Sequence, residues 1–191
     1  MNDWGIDWEA QWAAFAPGFK DGFLKIDNVK LKAGPGFGDL SHPTTKLTLE
    51  LLKPLVKDRA VLDIGSGSGI LSLMSYAWGA RAVIGIEIDP GSIEHAKKNA
   101  TLNGFPILFS FPADDLPPFL EGVIAMNMIS SEQEKAWKSL QRLEKFSGDL
   151  VVSGLLKKEE ENAKHRFEQR GWKYVKTKRS KEWIALHFKK E

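Results

Sequence analysis

The run VLDIGSGSGIL, residues 61–71, constrains the fold more than any other stretch of the chain. A short apolar segment closes on an acid, Asp63, and meets Gly65, Gly67 and Gly69 before the apolar pattern resumes. This reads as a buried strand, a sharp turn and a helix, with no Cβ atoms in the turn to hold a ligand off the backbone. The same order recurs downstream. AVLDI, RAVIGIEI, ILFSF, GVIAMN and DLVVSGLL read as strands. GILSLMSYAW, DPGSIEHAKKNATLNG, SEQEKAWKSLQRLEKF and KKEEENAKHRFEQRG read as helices between and after them. In the second of these Asp89 caps, Pro90 takes the first position, Ile93, Ala96 and Ala100 face inward, and Asn103-Gly104 closes. In the third, Ala136, Leu140 and Leu143 are expected on the sheet. Alternating strands and helices imply a mostly parallel sheet covered on both faces. The closing WKYVKTKRSKEWIALHF reads as a hairpin turning near Arg179-Ser180, which makes its last strand antiparallel.

Upstream, Trp4, Trp8, Trp12 and Phe15 recur at helical spacing, so residues 3–16 are expected to form an amphipathic helix stopped by Pro17 and Gly18. GFLKIDNVKLKA alternates weakly, as a hairpin does. The loop GPGFGDLSHPTT, residues 34–45, leads into a helix over Thr44–Val56 with Leu47, Leu51 and Leu55 on one face. Ser41 or His42 caps it and Pro43 suits its first turn. At 191 residues, 42% hydrophobic and 27% charged, the chain fits one soluble domain. No apolar run nears the ~20 residues of a membrane span, and the first residues lack a basic leader. The absence of cysteine excludes disulfides and thiol chemistry and accords with a cytoplasmic protein. The formal net charge of +2 gives no argument for nucleic acid. The basic residues crowd into KYVKTKRSK and HFKK, which read as a solvated strand face.

The glycine spacing is G-x-G-x-G. A dinucleotide fingerprint needs glycine at position 70, where the chain has Ile70. A pyrophosphate cradle is therefore disfavoured. An acid two residues before the first glycine suits a cationic ligand, S-adenosylmethionine. Glu87 stands twenty residues after Gly67, at the end of the second strand, where a carboxylate accepts both ribose hydroxyls. The competing reading, a surface acid beside Asp89, is weaker because AVIGI runs straight into it. Asp114 or Asp115 would accept from the adenine amino group, though a solvated turn explains them equally well. Asn127 ends the fourth strand. If strands one and four are neighbours, its carbonyl faces the methyl donor and accepts from an incoming amine, which aims the nitrogen lone pair. No other group stands as a base, with His42 the one exception. His42, His95, His165 and His187 lack ligand spacing, so no metal is expected. His95 and His165 read as exposed helix positions and His187 as structural. Neither a G-x-S-x-G elbow nor a Walker sequence occurs.

These residues resemble the class I S-adenosylmethionine methyltransferases. More narrowly, DWEAQW, GPGFGDLSHPTT, DIGSGSGIL, IEIDP, AMNMI and SGLL, in this order, are similar to the family that methylates large-subunit ribosomal protein eleven. The resemblance runs from about Asp7 to the end. It implies a Rossmann-like α/β fold: a seven-stranded, mostly parallel sheet with one antiparallel strand and helices on both faces. It also implies transfer of a methyl group to a lysine or N-terminal amine of a protein. Residues 1–33 would be a helix and linker segment packed on a methyltransferase domain spanning 34–191. By position, the resemblance makes Thr44, Gly65, Glu87 and Asn127 cofactor contacts, and Asp63, Gly67 and Gly69 join them from the glycine motif. Phe37 and His42 would close the cleft. Glu87 replaces the family's usual Asp, and Asp39-Leu40 stand where the family has Thr-Gly. The family's N-terminal domain, which grips the ribosomal protein, has no counterpart in this sequence, so the Trp-rich segment corresponds to its linker helix. Expected partners are S-adenosylmethionine and a protein substrate, with neither membrane nor nucleic acid required. Two rival readings are an RNA methyltransferase using the basic C-terminal hairpin and a non-catalytic S-adenosylmethionine-binding module.

Overall fold

A computed structural model describes residues 6–112 and 120–191. Helix α1 (Trp8–Phe15) is capped by Asp7, whose carboxylate accepts from the Ala10 N–H. It is shorter than the expected 3–16, and Trp4 lies outside the described residues. The aromatic stripe is not one buried face: Trp12 is 3% exposed, whereas Phe15 is 68% exposed. Then come β1 (Phe19–Lys20), β2 (Phe23–Ile26) and β3 (Val29–Lys32), a three-stranded antiparallel sheet containing the expected hairpin. Its inner residues Leu24, Val29 and Leu31 are buried in the same apolar cluster as the helices that follow.

Helix α2 (Pro43–Leu52) has Pro43 at its first position and ends four residues before the expected Val56, because Pro54 cannot continue it. Next are β4 (Ala60–Ile64), α3 (Ile70–Ala77), β5 (Ala82–Ile86), α4 (Pro90–Asn103), β6 (Leu108–Ser110) and β7 (Glu121–Asn127). The chain ends with α5 (Ser130–Ser139), β8 (Ser147–Leu156), α6 (Glu160–Glu168), β9 (Lys173–Ser180) and β10 (Trp183–Lys190). The expected helix after β7 is broken at Leu140 and continues only as a 3₁₀ turn over Gln141–Lys145. The last hairpin turns at Lys181-Glu182, two residues later than expected, with Lys181 at φ 52°.

The main sheet has seven strands in the order β6-β5-β4-β7-β8-β10-β9, and β10 runs antiparallel to both neighbours. Strand β4 pairs parallel with β5 on one side and β7 on the other, so the order reverses there. Strand alternation sends Val61, Val83 and Val123 into one core with α2, α3 and α4. Leu62, Ile84 and Ile124 enter the opposite core with Trp137 of α5 and Phe167 of α6. Asp63 falls on the first of these faces, where the pattern calls for an apolar residue.

One element holds the small sheet in place. Helix α4 presents His95, Asn99 and Asn103, spaced four apart and therefore on one face. Asn103 accepts from the Lys30 N–H at 2.9 Å and donates to the Lys30 carbonyl at 2.7 Å. Asn99 accepts from the Lys32 N–H at 2.9 Å, and the Lys32 carbonyl lies 2.7 Å from His95 Nε2. Helix side chains thus occupy the backbone groups that the free edge of β3 would otherwise offer to another strand. His95, expected on the surface, is 6% exposed because this sheet covers it; His165 is exposed as expected.

Candidate active site

The carboxyl ends of β4, β5 and β7 open into a cleft of about 800 Å³. It lies at the switch point of the strand order, where open α/β sheets bind ligands. Of the residues singled out in the sequence, Phe37, His42, Thr44, Gly65, Gly67, Glu87 and Asn127 all line it. Asp63 and Gly69 do not. Asp114 and Asp115 fall outside the described residues.

Glu87 follows the last residue of β5. Its Oε2 accepts from the Gly67 N–H at 3.0 Å, and its Oε1 from the N–H groups of Ile88 and Asp89 at 2.7 and 3.1 Å. The carboxylate therefore ties the glycine turn to the start of α4 while facing the cleft. An ionised carboxylate has roughly four acceptor sites; three are in use here, so one is left for a ligand unless the backbone bonds are shared.

The glycine turn is overlaid by the loop Gly34–Gly38. The Phe37 carbonyl accepts from the Ser68 N–H at 2.8 Å. A Cβ on Gly36 would fall 2.4 Å from Ser68 N, and one on Gly67, at φ 53°, would fall 2.6 Å from the Phe37 oxygen. The two backbones cross only because both positions lack a side chain. Underneath, Gly36 N–H donates to His95 Nδ1 at 3.2 Å. With Nδ1 accepting, Nε2 carries the proton and donates to Lys32. Burial lowers the His95 pKa, with Lys98 adding to the effect, and this favours the neutral ring that the pattern needs. Gly69 instead begins α3 and packs toward Ala96 and Phe109.

Asp63 is wholly buried behind the turn. Its Oδ2 accepts from Ser72 twice, from the N–H at 3.0 Å and the hydroxyl at 2.6 Å. Its Oδ1 has no partner among the described residues. Burial pushes its pKa up to about 7, the Ser72 bonds opposing and the nearby Glu87 charge adding.

Asn127 ends β7. Its Nδ2 reaches Thr45 Oγ1 at 3.4 Å, while its Oδ1 is buried with no partner among the described residues. The following backbone is held firmly. Gln133, 1% exposed, donates to the carbonyls of Met128 and Ser153 at 2.7 and 3.0 Å. Arg166 in turn donates to Gln133 Oε1 at 2.6 Å. The pattern SEQEKAW gives no hint of this, since only the loop's position identifies the glutamine's partners.

His42 caps α2: its Nδ1 is 2.8 Å from Thr44 Oγ1 and accepts from the Thr44 N–H at 3.4 Å. Its ring packs edge-on against Trp183, centroids 4.5 Å apart, and lies 5.9 Å from Phe37. Burial lowers its pKa, against the opposing pull of Glu182 and Asp39. Trp183, Met128, Ile129 and Ile88 also line the cleft. In the sequence Met128 and Ile129 stand out only as the apolar residues after Asn127, and Trp183 and Ile88 not at all, although Ile88, 77% exposed between two acids, is an apolar residue out of place. The basic residues of the final hairpin are partly neutralised: Lys178 pairs with Glu50 and Arg179 with Glu160. Among the described residues no cluster of His, Cys, Asp and Glu is arranged to hold a metal, and no helix is long and apolar enough to cross a membrane.

Comparison with known proteins agrees with this architecture. The family model described as ribosomal protein L11 methyltransferase (PrmA) matches residues 19–191. A ribosomal protein L11 methyltransferase of Geobacter sulfurreducens is 34% identical over 94% of this chain and 58% of its own length. The chain thus spans less than two thirds of that relative. Among solved structures, the ribosomal protein L11 methylase of Lactobacillus delbrueckii subsp. bulgaricus superposes with a TM-score of 0.71 at 25% identity, covering 84% of each chain. The 16S rRNA N2 G1207 methyltransferase of T. thermophilus, solved with AdoMet and guanosine, shares the fold at a TM-score of 0.66 and 20% identity, over 88% of this chain and 50% of its own. The chain belongs to the ribosomal protein L11 methyltransferase family.

Proposed function

We propose that the protein transfers a methyl group from S-adenosylmethionine to an amine of a protein, a lysine or N-terminal amine of a ribosomal protein, in the cytoplasm. The observation that carries this reading is the Asn127 side-chain oxygen, buried in the cleft without a partner among the described residues. A buried unpaired acceptor costs on the order of 1–3 kcal/mol, and a turn of the side chain toward a substrate N–H in the cleft removes that cost. The family membership supplies the substrate class, and the AdoMet held by the rRNA enzyme of the same fold supports the cofactor.

The residues present fit that cofactor. Glu87 would hold a ribose hydroxyl with its remaining acceptor site, Gly65 and Gly67 would keep the turn tight beside the nucleoside with Met128 and Phe37 filling the space of their missing side chains, and Thr44 and Phe37 would border the methionine end. Asp63 stands behind the turn with a free oxygen, and a cation nearby favours its ionised form. When bound, S-adenosylmethionine supplies an activated methyl group on a cationic sulfur. The protein's part is to bind, orient and exclude water. Asn127 Oδ1 accepts a hydrogen bond from the amine and aims its lone pair. At an amine pKa near ~10.4, roughly one in a few thousand is neutral at pH 7. Burial between Phe37, Trp183 and Ile129 disfavours the ammonium and raises that fraction. His42 is not set to take the proton, because its Nδ1 already accepts from Thr44.

The test is incubation of the protein with methyl-labelled S-adenosylmethionine and a ribosomal fraction, with the label located by mass. Label on a protein amine is expected. Asn127→Ala should keep its fold and lose about 100-fold in turnover, and Glu87→Ala should weaken cofactor binding. Label confined to RNA, or cofactor binding with no transfer at all, would overturn the proposal.

A further inference from the structure

We propose that the outward face of the β1–β3 sheet is a docking surface for single-stranded RNA. The register fixes its composition. Lys25 pairs with Lys30, Phe23 with Lys32, and Lys20 with Phe23. Directly paired residues share a face, so Lys20, Lys25, Lys30 and Lys32 surround Phe23 on the side away from the buried Leu24, Val29 and Leu31. All four lysines are exposed and Phe23 is partly exposed. None of the four ammonium groups has an acidic partner among the described residues. The acids of this segment are in its turns instead: Asp21 and Asp27 sit at φ 54° and 50°, and Asp27 accepts from Trp78.

Like charges directly opposed across a sheet destabilise it, and Lys25 faces Lys30 with no acid between them. Protection of a sheet edge does not explain the lysines, because the side chains of α4 already cover the edge of β3. The charge is also concentrated: the whole chain carries only +2. In the basic C-terminal hairpin Lys178 and Arg179 have Glu50 and Glu160, while Lys173 and Lys189 are directly opposed there as well, so that hairpin serves as the control surface in the test. A polyanion is the occupant that removes the repulsion. Phe23, set among the lysines, adds a ring on which a base can stack, and this selects single-stranded nucleic acid over a featureless polyanion. Strand β3 runs directly into the loop that lines the cleft, so RNA held here lies beside the catalytic mouth. The inference does not depend on methyl transfer.

The test is fluorescence anisotropy of the full chain with a labelled 20-nucleotide oligouridine, without cofactor, across 50–300 mM salt. Four phosphate contacts on a single strand predict a log–log salt slope near about −3. Lys25→Gln with Lys30→Gln should roughly halve that slope and leave calorimetric binding of S-adenosylmethionine unchanged. Phe23→Ala should weaken binding about tenfold at fixed salt. The proposal is overturned if oligouridine does not bind, or if Lys173→Gln with Lys176→Gln removes the binding while the β2–β3 lysines do not matter. It is also overturned if heparin competes equally well and Phe23→Ala has no effect, which would mark a generic polyanion surface.

Discussion

The central strands carry a buried aspartate near each end, and the two are treated in opposite ways. Near the amino end, Asp149 on β8 receives Arg59 on one oxygen and His187 on the other, and Arg59 also donates to the Gly122 carbonyl at 2.6 Å. Burial alone would raise its pKa, but the hydrogen bonds from His187 and Arg59 outweigh that and hold it below the ordinary value. Near the carboxyl end, Asp63 has only Ser72, keeps one oxygen unpaired, and is pushed up to about 7. Asn127 beside it also keeps an unpaired oxygen. At the amino end both oxygens of the aspartate are used within the protein, and only the buried Nδ1 of His187 in that cluster lacks a partner among the described residues. At the carboxyl end Asn127, which lines the cleft, and Asp63, which lies behind it, each keep an acceptor unused, which costs folding and suits a cationic ligand and an amine.

The largest test of this contrast is Asp149→Ala. Arg59 and His187 would then share a half-buried site without an anion, and removing one partner of such a pair costs about 3 kcal/mol. Urea denaturation should show that loss, and the folded fraction should bind S-adenosylmethionine as before. A loss under about 1 kcal/mol would mean that solvent supports Arg59 well enough alone and that the amino end is not the self-sufficient one.

The carboxyl end was the more legible in sequence, and the reason is local chemistry. Asp89-Pro90 and Asn103-Gly104 mark both ends of α4 through caps that involve only near neighbours. Gly65, Gly67 and Glu87 announce themselves by spacing, because a strand–turn–helix unit fixes how far apart they fall. His95 was misplaced because its burial comes from Gly34, Gly36 and Lys32, some sixty residues upstream, and no pattern within α4 shows that sheet arriving. Trp183 and Gln133 were missed for the same reason: one comes from the far end of the chain, and the other matters only through carbonyls of two separate strands. In GFLKIDNVKLKA the apolar half of the alternation was readable, but the register that gathers the lysines around Phe23 needed the sheet.

A middle-sized effect separates the two aspartates by pH. Asp63 binds its proton more tightly folded than unfolded, so between its ordinary value of 3.8 and about 7 the native state holds a proton that the unfolded state has lost. Its contribution to stability is full below pH 3.8 and falls as pH rises, by at most ~1.4 kcal/mol per unit, ending above about 7. Asp149 has the opposite sign: its contribution is present above 3.8 and is lost as pH falls through its lowered value. Asp63→Asn should therefore gain on the wild type between pH 5 and 8 in denaturation experiments without ligand, and should bind S-adenosylmethionine more weakly at pH 8. If stability has the same pH profile in both proteins, Asp63 is not strained by its burial, and the two ends do not differ as described.

The smallest expected effect is on the stability of Asn127→Ala. Its Oδ1 has no partner to lose, and its Nδ2 contact with Thr45 is long at 3.4 Å. Deleting the side chain relieves the cost of the unpaired oxygen, about 1–3 kcal/mol, and the space left behind together with the lost Thr45 contact offsets it, so the net change in folding should be under about 1 kcal/mol. This near-zero result gives the turnover assay its meaning, because a 100-fold loss in a fully stable variant belongs to the reaction. A loss of about 2 kcal/mol or more would show that Asn127 braces β7 against α2 through Thr45. The carboxyl end would then rely on its polar groups for folding just as the amino end does, and the unpaired oxygen would no longer single out the place where an amine is held.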